Sequence, residues 1–248
     1  KLTISVLVTI LLLAMVFSAG AQEKRMATWV DEVIIVEEPS VTNAVARLQA
    51  GDIDVYATTS SEPVPFATII SDPNLDYYQT FGSYSEITWN PVGPTFEDGR
   101  FNPFSSRRIR EATNWLIDRD YIAQELYGGL ALPKATMLNN AYVDYSRVVE
   151  TARSLEFKYA YDFELAKQVI TEEMMNAGAS LVDGKWHYDG QPIEILILAR
   201  SEDQRSAVGD YLADQLEAVG FATNVDYRSG AEASPIWMMG DPWQGQWH

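Results

Sequence analysis

The chain has 248 residues and a formal net charge of −17, from 18 Lys and Arg against 35 Asp and Glu. Nucleic-acid binding needs a basic surface that replaces the counterions of the phosphates, so this charge excludes that class of function. An anionic membrane surface is excluded as a partner for the same reason. Because cysteine is absent, disulfide bonds, thiolate metal sites and a lipobox lipid anchor are excluded as well.

The N-terminal segment has the pattern of a secretory signal. Lys1 precedes an apolar run over residues 2–17, and Ala19-Gly20-Ala21 provides an A-x-A cleavage site. The run is shorter than the roughly 20 apolar residues of a membrane-spanning helix. We therefore predict a cleaved signal peptide over residues 1–21 and a periplasmic or extracellular location. An uncleaved anchor is the alternative.

The segment after the signal predicts a strand–helix–strand unit. The β-branched run Asp31–Glu37 predicts a buried strand. A helix is expected to begin after Ser40 as N-cap and to end at Gly51 in the left-handed conformation. Ile53–Tyr56 predicts a second strand, parallel to the first because the helix connects them as a crossover. Residues 75–89 predict one long or two short strands.

The middle of the chain predicts three helices. The first two are expected at about 106–117 and 120–127, where apolar residues recur at helical spacing. The third is expected to run from Asp162, as N-cap, to Gly178. A short helix with Pro punctuation is expected between residues 60 and 73.

The last part predicts a second β-α-β crossover. Asp183-Gly184 and Asp189-Gly190 are hairpin turn signals. The apolar run Ile193–Leu198 predicts a strand buried on both faces. Ser201 is expected to cap a long helix that ends at Gly220, followed by a returning strand over Phe221–Tyr227. The predicted class is α/β.

Three stretches resemble a known family. They are NPFSSRRIREATNWLIDRDYIAQEL (residues 102–126), RLQAGDIDVY (47–56) and DYLADQLEAVGFATNVDY (210–227). Their order is similar to that of the extracytoplasmic solute-binding proteins, family 5, which serve ABC importers of oligopeptides and dipeptides. The residues that carry the motifs are Gly51, Asp54, Arg110, Asn114, Asp118 and Arg119, and the resemblance implies a scaffold role for them.

The resemblance implies a periplasmic-binding-protein-like fold of type II, with two lobes. Members of the family are about twice as long, so we expect the fold to be incomplete here. Residues 22–85 are expected to form part of the first lobe, and residues 86–248 a second α/β lobe truncated at its C-terminus. The implied function is a monomeric receptor that closes its lobes over a small solute, most naturally a peptide. It would deliver that solute to an ABC permease without a cofactor or catalysis.

The position of the ligand follows from the fold class. Doubly wound sheets bind ligands beyond the carboxyl ends of their strands and at switch points between lobes. Arg200 can hold a carboxylate there through two parallel hydrogen bonds, and Ser201 can donate at a helix N-terminus. The expected contacts are Arg200, Ser201 and Tyr227 after the strands, and Tyr84, Trp89 and Asn90 in the crossing between lobes. A surface salt bridge for Arg200 and core packing for the aromatic rings are the alternatives.

Two other functions stay open. A secreted hydrolase could use Asp52, Asp54 or Glu86 as acid and base, although a solvated strand edge explains the two aspartates as well. His187 and His248 are the only histidines, and neither lies near a nucleophile elbow. No sequence motif for a metal or a phosphate is present. A sensory module on the same fold, signalling to a membrane partner, is the other alternative.

Overall fold

The computed structural model describes residues 29–248. Residues 1–28, with the predicted signal peptide and its cleavage site, lie outside the described residues. Contacts divide the chain into two compact units, residues 1–39 and residues 40–248. The described part of the first unit, residues 29–39, contains no helix or strand, and nearly all of its side chains are exposed.

The strand predicted at Asp31–Glu37 is wrong. The segment forms no β-ladder, and Ile34 and Ile35 are 75% and 91% exposed. The strands predicted at Ile53–Tyr56 and within residues 75–89 are absent too, so the first parallel unit does not form. A strand exists only where a neighbour accepts its backbone hydrogen bonds. None of residues 29–248 pairs with these three segments in a ladder.

The first predicted helix is confirmed. Helix α1 spans Val41–Ala50, and the hydroxyl of Ser40 accepts the amide of Asn43 at 3.2 Å as its N-cap. Gly51 ends the helix at φ 75°, in the left-handed region that favours glycine. Helix α2 follows at Pro63–Ser71, where proline punctuation predicted a short helix.

The helices of the middle region form as predicted, with additions. A 3-10 turn at Pro103–Ser105 leads into helix α3 (Arg107–Leu116), and helix α4 (Arg119–Tyr121) continues into a π-helical turn at Ile122–Leu126. Two short helices after residue 140 were not predicted. The helices are α3 Arg107–Leu116, α4 Arg119–Tyr121, α5 Val143–Arg147, α6 Val149–Lys158 and α7 Phe163–Asn176.

A three-stranded antiparallel sheet follows α7. Its strands are β1 Ser180–Val182, β2 Lys185–Tyr188 and β3 Gln191–Pro192. The predicted Asp-Gly turns connect them. Asp183 and Gly184 have φ angles of 49° and 79°. In the second turn, Asp189 and Gly190 also have positive φ angles. Positive φ at both central residues is the requirement of the type I′ hairpin turn, which Asp-Gly meets readily.

The second β-α-β unit is confirmed. Strands β4 (Glu194–Arg200) and β5 (Ala222–Arg228) pair in parallel, and helix α8 (Arg205–Ala218) packs on both. Gly209 permits this packing, because a Cβ there would lie 2.7 Å from the Cβ of Ala199. Ser201 does not cap α8. Its amide donates to the carbonyl of Arg228 at 3.0 Å, which extends the strand pairing and delays the helix to Arg205.

One hydrophobic core joins the helices to the parallel strands. Helices α3 and α7 pack against each other, and their apolar faces meet residues of β4, α8 and Phe221. The largest fully buried apolar side chains are Phe104, Phe221, Ile109, Leu116, Ile170, Met174, Ile195 and Leu216. Burying each of these removes about 1.5–3 kcal/mol of hydration cost.

The chain after β5 is short and turn-rich. It forms α9 (Gly230–Ser234), a π-helical turn at Pro235–Met239 and a 3-10 turn at Pro242–Gln244. No helix within residues 29–248 is long and apolar enough to cross a membrane.

Candidate functional site

The carboxyl edge of the parallel strands carries a network of charged side chains. Arg200 and Arg228 are register partners in β4 and β5. The Arg200 Nε donates to the carboxylate of Glu202 at 2.8 Å, and the Arg228 Nε donates to Asp226 at 2.8 Å. Arg200, which the sequence predicted as the holder of a ligand carboxylate, is therefore already in a surface salt bridge.

Glu202 ties this network to the next helix. Its second carboxylate oxygen accepts the amide of Gly230 at 2.7 Å. The Arg200 guanidinium lies so close to Gly230 that a Cβ there would be 2.6 Å from the guanidinium carbon. The hydrogen bonds from Arg200 and from the Gly230 amide lower the pKa of Glu202. A ligand carboxylate at Arg200 would have to displace Glu202.

Ser201 and Tyr227 lie at the same edge. Ser201 is exposed, and only its backbone takes part in the strand pairing described above. The Tyr227 hydroxyl donates to the carboxylate of Asp210 on α8, and this bond raises the pKa of the tyrosine. The residue is 46% exposed, so part of it is accessible to a solute.

Asn90 connects the crossing segment to the C-terminal turns. Its side chain is fully buried, and its amide nitrogen donates to the carbonyls of Pro242 at 2.9 Å and Trp247 at 3.1 Å. Its backbone amide donates to the carbonyl of His248 at 2.6 Å. The N–H groups of Asn90, which we expected to contact a ligand, are thus bonded within the protein.

His248 continues this connection to the sheet. Its backbone amide donates to the carbonyl of Leu196 at 3.0 Å, and its Nδ1 accepts the amide of Leu196 at 3.0 Å. The imidazole is 4% exposed, and Nε2 has no partner among the described residues. Burial, and secondly the charge of Arg100, lower the pKa of His248 to about 4. The buried ring is therefore neutral at physiological pH.

The two aromatic residues of the crossing segment have different surroundings. Trp89 stacks on Phe104, with ring centroids 4.0 Å apart, and packs against the core. Tyr84 is 53% exposed. The ammonium of Lys134 lies 4.0 Å above the centre of the Tyr84 ring. Tyr84 is thus the member of the pair that solvent reaches.

Tyr84 lines an open groove of about 220 Å³, which we call the Tyr84 groove. The Lys134 ammonium also donates to the carbonyl of Met137 at 3.1 Å, and the amide of Asn139 donates to the carbonyl of Phe81. The lining residues are Gly82, Ser83, Tyr84, Lys134, Met137, Leu138, Asn139, Tyr142 and Asp144.

Sequence reasoning missed Lys134, although a signal for it exists. The stretch from Leu126 to Val143 contains no acidic residue, and Lys134 is its one charged side chain. Such a gap is unusual in a chain with 35 acids. The fold brings this stretch to Tyr84, about fifty residues earlier in the sequence.

The family-motif residues make contacts within the scaffold. The Arg110 guanidinium donates to the carbonyls of Phe104 and Ser105 at 2.5 and 3.1 Å. Asn114 Oδ1 accepts from Arg119 at 2.7 Å, and burial lowers the pKa of Arg119.

Asp118, Gly51 and Asp54 belong to the same motifs. Asp118 caps α4 by accepting the amide of Tyr121 at 2.9 Å. Its own amide donates to the hydroxyl of Tyr211 at 2.8 Å, and burial raises the pKa of that tyrosine to about 12. Gly51 ends α1 as described, and Asp54 is exposed.

The side chains suggested for a hydrolase lie on the surface. Asp52 and Asp54 are exposed, and Glu86 accepts the hydroxyl of Thr88 at 3.4 Å. His187 lies in β2, with Nδ1 3.0 Å from the carbonyl of Lys185. In the described part of the chain, no three His, Asp or Glu side chains form a group that could hold a metal ion.

The predicted ligand contacts fall into three places. Tyr84 lies in the groove. Trp89 is partly buried against the core and Asn90 is fully buried. Arg200, Ser201 and Tyr227 lie at the strand edge. Within residues 29–248, no hydrogen bond or ring contact joins the strand-edge group to the other two.

Comparison with known proteins identifies the family. The model of the bacterial extracellular solute-binding proteins, family 5 Middle, matches residues 23–244. The chain belongs to this family. A curated relative, heme-binding protein A of Haemophilus influenzae, is 25% identical over 146 residues, which cover 58% of this chain and 24% of the relative.

Solved structures include proteins similar in fold to this chain. The oligopeptide-binding protein AppA of Bacillus subtilis, in complex with a nonapeptide, matches with a TM-score of 0.52 and 20% identity over 79% of this chain and 36% of AppA. An ABC transporter substrate-binding protein of Sinorhizobium meliloti has a TM-score of 0.46 and 18% identity over 82% of this chain and 40% of that protein. The fold is thus the α/β periplasmic-binding-protein type II fold. The chain spans about a third of the length of AppA.

Proposed function

We propose that the protein is an extracytoplasmic receptor that captures a small solute and delivers it to an ABC importer. The observation that carries the proposal is the family match over residues 23–244. Family members are extracellular and bind solutes, and AppA, which shares the fold, holds a nonapeptide. A peptide is therefore the ligand we expect first. We keep the predicted lobe boundary at residues 85 and 86, the signal peptide and the monomeric state as parts of this proposal.

The exposed groups on the two surfaces support a binding role. The half-exposed ring of Tyr227 and the hydroxyl of Ser201 lie at the carboxyl edge of a parallel pair, where α/β folds bind ligands. Tyr84 offers a second ring in a groove. We propose that Tyr84, Arg200, Ser201 and Tyr227 face the solute, and that Trp89 and Asn90 support them from below.

Binding of solute pools to the purified protein tests the proposal. The change of intrinsic tryptophan fluorescence would be titrated with separate pools of di- to nonapeptides, oligosaccharides, heme and nickel chelates. Saturable binding in one pool, with the solute recovered intact by mass spectrometry, is the expected result. A folded protein that responds to no pool would refute the receptor function.

The same assay separates the alternatives. A hydrolase would return shortened peptides, and the turnover would be lost in Asp54→Asn or Glu86→Gln. A sensory module would bind the solute as tightly as a receptor does. Deleting its gene would leave uptake of the labelled solute unchanged, whereas deleting a receptor gene would abolish that uptake.

A further inference from the structure

Lys134 is a cation without a carboxylate partner. No described Asp or Glu oxygen lies within 4.0 Å of its ammonium. The ammonium has three N–H donors, and only one of them is used, by the carbonyl of Met137. The ring of Tyr84 holds the same ammonium from below by a cation–π contact. The remaining two donors are thus positioned and available at the groove.

The other cations near the proposed binding surfaces are neutralised. Arg200, Arg205 and Arg228 each pair with an acid two residues away, at 2.8 Å for the first and the last. The one acid of the groove, Asp144, is held by Arg147 at 2.9 Å. On these surfaces, the positive charge that is not paired with a carboxylate is therefore that of Lys134.

The rest of the Tyr84 groove is small and combines the apolar side chains of Met137, Leu138 and Tyr142 with polar ones from Ser83, Asn139 and Asp144. Tyr142 and Met137 are 50% and 80% exposed there. The volume of the groove is about 220 Å³. Pockets for drug-sized ligands begin at about 300 Å³. The groove fits a group with a short hydrocarbon or a single aromatic ring.

We infer that the Tyr84 groove is a subsite for a carboxylate that is attached to a small apolar body. Lys134 donates to the carboxylate, and Tyr84 and Tyr142 contact the hydrocarbon. The inference rests on the proposed receptor function and names the chemical class of the solute. A terminal ammonium in place of the carboxylate is rejected here, because Lys134 has only donors to offer it. A neutral amide can accept from Lys134 through its carbonyl oxygen, but it binds more weakly because it lacks the negative charge.

Isothermal titration of the purified protein with 3-phenylpropionate and with 3-phenylpropionamide tests the inference. The two probes have the same shape and differ in charge. We expect the carboxylate to bind about tenfold more tightly, as one charge-assisted hydrogen bond provides. In Lys134→Met this advantage should disappear, and in Lys134→Arg it should return.

Lys167→Met is the matched control. Lys167 also lies over an aromatic ring, that of Phe163 at 6.0 Å, and no described carboxylate pairs with it. Its replacement removes the same charge at a distant helix and should keep the tenfold preference. Equal binding of both probes, binding of neither, or a preference that survives in Lys134→Met would overturn the inference. The pool assay reports on the receptor function separately, so it can succeed while this subsite fails.

Discussion

Replacement of Asn90 by alanine distinguishes a structural residue from a ligand contact. The sequence offered Asn90 as a ligand contact, but its side chain makes three internal hydrogen bonds, to Pro242, Trp247 and Val92. A hydrogen bond of this kind contributes about 1 kcal/mol net. Since the side chain is fully buried, we expect Asn90→Ala to lower the free energy of unfolding by about 3 kcal/mol.

Urea denaturation, followed by circular dichroism and tryptophan fluorescence, measures this change. Asn90→Asp keeps the side-chain volume but replaces the amide nitrogen, which donates to two carbonyls, by an oxygen that cannot donate. The free energy of unfolding should therefore fall at least as far as in Asn90→Ala. Asn224→Ala is the control, because Asn224 is exposed on β5 and should change stability by less than about 0.5 kcal/mol. The structural role would be refuted if Asn90→Ala matched the control in stability and weakened solute binding instead.

Three further predictions concern pH, packing and capping. Burial lowers the pKa of His248 to about 4 in the folded protein, from the 6.5 of an unperturbed histidine. The unfolded chain therefore takes up the proton first, and about 3 kcal/mol of stability, present above pH 6.5, should be lost as the pH falls to 4. Gly209→Ala should lower the unfolding free energy by about 1–3 kcal/mol because its Cβ meets Ala199, measured by thermal denaturation. Asp118→Ala should lower it by about 1 kcal/mol through loss of the α4 cap, measured in urea.

Each of these predictions has a control. The stability slope between pH 6.5 and 4 should flatten in His248→Leu, and an unchanged slope would contradict the assignment to this imidazole. Asp214→Ala changes an exposed position on the same helix as Gly209 and should have little effect. Asp118→Asn should retain most of the cap, because the amide oxygen accepts the same hydrogen bond. Equal losses in Asn and Ala would show that charge matters there, and not capping.

The elements that could be predicted are those whose signals are local. Ser40 and Gly51 mark the ends of α1 through hydrogen bonds and dihedral angles within a few residues. The Asp-Gly turns set the hairpin because their central residues adopt positive φ at low cost. The Asp31–Glu37 strand could not be judged in this way, since a strand depends on a partner elsewhere in the chain. The β-branched pattern indicates which residues would fit a sheet, and the contacts decide whether there is one.

In the candidate site, too, local features could be predicted and features that depend on distant residues could not. The sequence placed Arg200 at the carboxyl edge of β4, and the structure has it there. Whether that guanidinium is available depends on the salt bridge to Glu202, two residues away, which was the alternative interpretation of Arg200 and is the one the structure has. The position of Lys134 over Tyr84 was beyond prediction, because an irregular loop carries no periodicity that would place it against a segment fifty residues earlier.

The distribution of acids along the sequence explains which cations have no carboxylate partner within the protein. With 35 acids against 18 bases, an arginine usually has a carboxylate close by in sequence, and Arg100, Arg200, Arg205 and Arg228 all pair with an acid two residues away. In these four pairs, the nearby acid in sequence neutralises the arginine locally. Lys134 escapes this because residues 126–143 contain no acid. If the proposed function holds, the subsite for an anion in a chain this acidic is therefore expected where acids are missing from the sequence, and not where bases are most frequent.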